Sequence, residues 1–273
     1  MPDLKVTFLG TGAGGSIHRA HTAIVLDLPN GVRVLLDASS GNSVLRSGTQ
    51  VDMPAKDFHH VLLSHHHADH MMGLQPIQLV RSRSNPDGPP LEIHCSEQSL
   101  EYVKLLFRVA SPSIAITQDG AHNAQGSHVA AWRPADPGER VELGTGTYAS
   151  CFPVDHIDGA VGWRIDSDGL AVVFSGDTRF SPNLVEAAQG ARLLIHEVYC
   201  TDKDRAQADA VAHSTARDAG RAAALAGVEE LVITHIATPF NFDTQPLLDE
   251  ARQHFDGPIT VAEDLYQLTV AAG

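Results

Sequence analysis

The sequence predicts an α/β fold made of two mixed β-sheets with helices covering their outer faces. Three observations carry this expectation. Short strand-like runs and helical stretches interleave along the whole chain, an order that builds layered sheets and helices. Hairpin signals occur in both halves, Asn30-Gly31 early and residues 166–169 late, so antiparallel pairs belong to both. Of 273 residues, 43% are hydrophobic and 19% charged, the make-up of an ordinary soluble globular chain. That length suits a single α/β domain spanning 1–273.

The elements follow in order. Residues 5–9 alternate and form a first strand. Gly10-Thr11-Gly12-Ala13-Gly14-Gly15 comes next, but a phosphate-cradling loop would lead directly into a helix. Here a new strand, 22–28, follows, so the glycines read as a turn bordering a site. Residues 32–37 form the returning strand and 48–56 a loop. A short buried strand, 61–64, runs into a histidine cluster. Residues 71–80 have helical periodicity, 81–90 form a proline-rich loop, and 91–95 a strand. Ser96 caps a helix reaching about Val109. Residues 110–140 are rich in Gly, Pro, Ser and Asn and are expected to be a loop or a lid. Then come a strand region at 141–154, a hairpin of 161–165 with 170–174, and a strand at 193–196. An Ala-rich helix, 214–226, has Ser214 as its expected N-cap. Strand 230–234, helix 246–254 and strand 259–262 complete the chain.

Composition narrows the chemistry. Thirty-three acidic against 19 basic residues leave a net charge of −14, a field that repels polyanions. Arg81, Arg83 and Arg108 are scattered rather than gathered in a basic patch, so nucleic acid is a disfavoured partner on this reading. No apolar run approaches the roughly 18 residues of a membrane span. Met1-Pro2-Asp3-Leu4-Lys5 lacks a signal-peptide pattern, and a cytoplasmic protein is expected. Cys95, Cys151 and Cys200 are odd in number and far apart, without a Cys-x-x-Cys knuckle. A metal site would therefore use histidine and carboxylate.

Histidine is abundant, 16 residues, and part of it is organised. In Ser64-His65-His66-His67-Ala68-Asp69-His70, alternate residues of an extended segment point the same way, so His65 and His67 can hold one ion. Asp69 and His70 sit where the chain turns into a helix and can reach a second. Further candidates stand where apolar strands end: His156, Asp177 after Ser175-Gly176, and His235. Strand ends are where α/β sites are built. Imidazole with carboxylate suits zinc, manganese or iron.

The order His-x-His-x-Asp-His, then His156, Ser175-Gly176-Asp177-Thr178 and Thr234-His235, resembles the metallo-β-lactamase superfamily over nearly the whole chain. The resemblance implies a four-layer αβ/βα sandwich. It also implies that His65, His67 and His156 hold one divalent ion, that Asp69, His70 and His235 hold another, and that Asp177 bridges them. Zinc is the first expectation. A narrower resemblance, to the ribonuclease Z and arylsulfatase-like branch, rests on His196-Glu197-Val198 and His213-Ser214-Thr215. It implies that Glu197 orients His213, which protonates a leaving group. The tRNA-clamping arm of true ribonuclease Z would fall within 157–176, and twenty residues there leave no room for one.

The function expected from these features is hydrolysis of a small ester (a phosphodiester, sulfate ester or lactone) by a hydroxide bridging two ions, with Asp69 orienting it. An RNA endonuclease of the ribonuclease Z kind is the first alternative. A β-lactamase, a mononuclear iron oxygenase, a diiron electron-transfer enzyme and an idle binding domain are further ones. The resemblance also implies a homodimer. His66, His18, His21 and His196 read as residues around the site. His59, His60, His94, His122, His128 and His254 read as surface or core residues. Trp132, Phe240 and Phe242 are candidates for a substrate pocket, the last two the better ones.

Overall fold

The computed structural model describes residues 3–271. Met1 and Pro2, part of the stretch read for a signal peptide, lie outside the described residues. The first sheet takes β1 (Leu4–Gly10), β2 (Ala23–Asp27), β3 (Arg33–Leu36), β4 (His60–Leu62), β5 (Leu91–Cys95), β6 (Ala115–Thr117), β7 (Gly120–His122) and β8 (His128–Pro134). The second takes β9 (Arg140–Glu142), β10 (Thr147–Pro153), β11 (Val161–Ser167), β12 (Leu170–Phe174), β13 (Leu193–Glu197), β14 (Glu230–Thr234) and β15 (Ile259–Val261). The last strand, β16 (Gln267–Val270), returns to the first sheet and pairs antiparallel with β1. The α-helices are α1 (Ser43–Gln50), α2 (Ala68–Met71), α3 (Leu74–Ser84), α4 (Glu97–Ala110), α5 (Pro182–Ala187), α6 (Arg205–Ala210), α7 (Ala216–Ala226) and α8 (Gln245–Ala251).

Three apolar layers hold these elements together. Phe8, Leu26, Leu36 and Leu62 of the first sheet meet Trp163, Val172, Phe174 and Ile195 of the second. Alternate residues of the same strands, Val25, Leu35, Val61 and Ile93, face outward onto α3 and α4 through Leu74, Ile77, Leu100 and Phe107. The outer face of the second sheet packs Leu194, Leu231 and Ile233 against Ala219, Ala223 and Leu247. Strands buried on both faces read as continuous apolar runs, as Val34-Leu35-Leu36 does. The Trp163 indole N–H donates to Leu63 O at 3.1 Å, tying the sheets together where the histidine cluster begins. The expected two mixed sheets with outer helices are thus present.

Apart from β10, which precedes His156 and is antiparallel to its neighbours, the strands that carry site residues are parallel in both sheets. β3, β4 and β5 run together in one, β12, β13 and β14 in the other. The site collects around the C-terminal ends of these strands.

Several expectations need correction. Residues 110–140 are not a structureless loop: they contain β6, β7 and β8, and β8 pairs with β5 inside the first sheet. Their Gly and Asn serve tight turns between very short strands, which propensity alone reads as loop. Ser214 does not cap α7. Thr215 does, in a capping box with Asp218, because the Ser214 hydroxyl donates to Thr178 O at 2.6 Å instead. Helices α1, α5 and α6 were not anticipated; each is only six to eight residues long, too short to show periodicity. No helix among the described residues is long and apolar enough to cross a membrane.

Candidate metal centre

Strand β4 ends at Leu62, and the chain stays extended through His67, the residue before α2. His65 and His67 therefore project to the same side, and the loop after β10 brings His156 to them. The three rings stand nearly perpendicular in pairs, at 76°, 79° and 86°, with centroids 4.6, 4.8 and 5.0 Å apart. One donor atom from each, with one oxygen of Asp177, falls within 4.8 Å of the others. Asp69, His70 and His235 form a second such group. Asp177 Oδ2 joins the two groups. It lies 3.7 Å from His65 Nε2 and 3.9 Å from His156 Nε2 on one side, and 3.2 Å from His70 Nε2 and 3.3 Å from His235 Nε2 on the other. All seven residues singled out from the sequence as ligands come together in one cluster.

Backbone strain is spent at this cluster. His235 has φ +58°, a left-handed conformation uncommon for a residue other than glycine. Gly176 has φ +59°, and a Cβ there would stand 2.9 Å from both the Val161 carbonyl oxygen and Ser64 Cβ. Only glycine lets Asp177 turn inward at that point.

Asp37, which the sequence reading passed over, sets the proton positions. Its Oδ1 accepts from the Ser64 amide at 2.7 Å. Its Oδ2 accepts from the Ser64 hydroxyl and from His70 Nδ1, both at 2.7 Å. Because a carboxylate only accepts, the Ser64 hydroxyl proton is committed to it, and Ser64 Oγ must accept from His65 Nδ1 at 2.9 Å. One carboxylate thus places the protons of His65 and His70 on Nδ1 and leaves both Nε2 lone pairs facing the centre. His156 obeys the same rule, donating Nδ1–H to Ala212 O at 2.9 Å. Thr22 Oγ1 holds His235 Nδ1 at 2.8 Å. A partner on the outer nitrogen of each ring is the usual support of a metal-binding histidine. The signal for Asp37 was present, since it follows the apolar run 34–36 as Asp177 follows its own strand.

The donor set fits divalent cations. His65 Nε2 and His70 Nε2 are buried without any hydrogen-bond partner. His156 Nε2 and His67 Nδ1 face each other at 3.2 Å. Three carboxylates, Asp37, Asp69 and Asp177, crowd around them. Burial disfavours a charged His70, yet the flanking Asp177 and Asp37 carboxylates raise it well above its ordinary value. Burial similarly drives His65 well down and His235 down to about 3. His65 and His235, kept neutral by burial, together with carboxylates strong enough to draw positive charge onto His70, make a cradle for cations.

Beside this cradle stands the pair expected from the narrower resemblance. His213 Nδ1 lies 2.9 Å from Glu197 Oε1 and 4.0 Å from Asp177 Oδ2. Glu197 Oε1 also accepts from the backbone amides of Thr178 and Ser214, at 3.0 and 3.1 Å. Burial opposes a charged His213, but the Glu197 carboxylate and its hydrogen bond prevail and raise it to about 9. Tyr199 stacks on the His213 ring at 5.1 Å. With Nδ1 taken by Glu197, Nε2 is the nitrogen left for a substrate.

Other candidates fall into place. Gly14 borders the centre: a Cβ there would meet Asp69 Oδ2 at 3.0 Å. His66 stacks flat on Tyr102, 3.8 Å between centroids. His21 Nδ1 is held by Ser40 Oγ at 2.7 Å, and His196 Nδ1 by the Glu197 carbonyl at 2.6 Å. Phe242 is 82% exposed and pairs with His18. Trp132 is no pocket residue; it is buried against Phe107 and donates to Thr117 O.

A sandwich of two mixed sheets with a histidine–carboxylate cluster at its parallel strand ends defines a class, the metal-dependent hydrolases that bind divalent cations. The family model described as the beta-lactamase superfamily domain matches residues 32–236. Ribonuclease Z of Haloferax volcanii is 30% identical, over 98% of this chain and 95% of its own length. Ribonuclease Z of Myxococcus xanthus is 31% identical, over 96% of each. Among solved structures, the metallo-beta-lactamase fold protein YhfI of Bacillus subtilis has a TM-score of 0.79 at 21% identity, covering 98% of this chain and 100% of its own. The short form of human tRNase Z has 0.75 at 22%, with the same coverage. The chain belongs to the beta-lactamase superfamily, with ribonuclease Z proteins as its relatives.

These relatives overturn two expectations, a small ester as substrate and the exclusion of nucleic acid. Net charge summed over a whole chain says little about the field at one mouth, and a short 157–176 segment removes an arm without removing the centre. The Haloferax alignment runs over 315 positions against 273 residues here. At least 42 of those positions therefore belong to the relative alone.

Proposed function

We propose that this chain is a zinc-dependent RNA endonuclease of the ribonuclease Z kind, hydrolysing a phosphodiester. The observation that carries the reading is the His213–Glu197 pair, 4.0 Å from Asp177, in a chain matched nearly end to end by ribonuclease Z.

His65, His67 and His156 would hold one ion and Asp69, His70 and His235 the other, with the Asp177 carboxylate placed between the two groups. Bound ions there supply Lewis acidity and bring the pKa of water toward neutrality. Asp69, 16% exposed at the mouth, orients the attacking water through its free oxygen. His213 Nε2 gives its proton to the departing ribose oxygen as the P–O bond breaks. Glu197 keeps the proton on His213 beforehand and fixes the ring. The two amides on Glu197 Oε1 keep that carboxylate in place throughout.

The test is incubation of zinc-loaded protein with 3′-extended precursor tRNA and with an unstructured RNA of equal length. A single internal cut, stopped by chelation and restored by Zn2+, is expected on the tRNA. Intact RNA of both kinds at enzyme excess would overturn the reading.

A further inference from the structure

A second group of metal-type donors lies away from this centre. Strands β4 and β5 run parallel with His60 opposite Glu92 and Leu62 opposite His94. Alternation puts His60, Glu92 and His94 on one face, while Val61 and Ile93 point into the helix-covered core. His60 Nδ1 lies 3.1 Å from His94 Nε2 and 3.2 Å from Glu92 Oε2. His94 Nε2 lies 3.7 Å from the same Glu92 oxygen. Tetrahedral zinc with bonds of about 2.05 Å spaces its donors about 3.3 Å apart, within the range seen here.

We infer that His60, Glu92 and His94 form a separate binding site for a divalent transition-metal ion, zinc by donor type. The site is distinct from the hydrolytic centre and does not depend on the function proposed above. The three donor atoms lie within 3.7 Å of one another, and a single proton can bridge only two of them. Burial lowers the pKa of His94, which works against the protonated alternative. Arg133 holds the other carboxylate oxygen, Oε1, at 2.7 Å, so Oε2 stays turned toward the imidazoles. The His60 and Glu92 side chains are 14% and 27% exposed, so the group is open to solvent and to an entering ion. Two imidazoles and one carboxylate suit zinc or another late first-row ion rather than magnesium or calcium. An ion here staples β4 to β5 at the start of the strand whose far end delivers His65.

Chelator-stripped protein, titrated with Zn2+ to saturation and counted by native mass spectrometry, tests this. Wild type should take up one equivalent more than His60→Ala, Glu92→Gln or His94→Ala. Should buried His94→Ala fail to fold, His60→Ala and Glu92→Gln give the same comparison at partly exposed positions. The difference of one should persist in a His65→Ala background, where the hydrolytic centre is impaired. Equal zinc counts for wild type and both partly exposed variants would overturn the site.

Discussion

Replacing Asp37 by Asn tests the proton arrangement with almost no change of shape. The carboxylate is fully buried, has φ +54°, and accepts three hydrogen bonds of 2.7 Å from the Ser64 amide, the Ser64 hydroxyl and His70 Nδ1. An amide can match them in two ways, both costly. With its NH2 toward Ser64 Oγ and His70, it asks His70 Nδ1 to accept, which moves the ring proton to Nε2, the nitrogen meant for the metal. With its NH2 toward the Ser64 amide, two donors face each other in a buried site. Loss of such a supporting partner costs about 10–100-fold in metal affinity, or roughly 1.4–2.7 kcal/mol. Competition against a fluorescent zinc chelator measures it. Affinity within a factor of about two of wild type for both ions, in a folded Asp37→Asn protein, would refute the proton assignment.

Four further predictions follow from the structure. His213→Ala should retain its metal and lose roughly 10²–10⁴-fold in kcat, and Glu197→Gln should shift the alkaline limb of kcat. An acid works below its pKa, so wild type should hold activity to about pH 9 and the variant should lose it nearer neutrality; superimposable pH–rate profiles would contradict the pairing. Asp218 accepts from Thr215 and Arg205; burial opposes its charge, but these bonds hold its pKa below the ordinary 3.8. A depressed carboxylate stabilises the fold above 3.8 and ceases to as pH falls through its folded value. Asp218→Asn should therefore cost about 1–2 kcal/mol at pH 7, a gap in urea melts that narrows in acid. Gly14→Ala should push the Asp69 carboxylate, 3.0 Å from the new methyl, and weaken metal binding while the melting temperature of the stripped protein stays put.

The residues of the cluster were legible because they carry local marks. His65, His67, Asp69 and His70 are adjacent, and His156, Asp177 and His235 each end a strand. Asp37 ends a strand as Asp177 does, but its role is to hold His70 and, through Ser64, His65, and only the fold brings it to them. The turns and short strands within 110–140 were invisible for another reason. Three-residue strands such as β6 and β7 have no periodicity to read, and they are held by pairing, β7 on β8 and β6 on β7.

The sequence by itself pointed to the two-sheet architecture through alternation, and to the seven clustered residues through their types, their strand-end positions and the resemblance their order carries. Only the tertiary structure decided which nitrogen of each ring is free, that one carboxylate sets the protons of two histidines, and that His60, Glu92 and His94 share a point in space. Those are matters of ångström distances between residues remote along the chain or on neighbouring strands. Pairing register and packing set such distances, and composition and spacing do not.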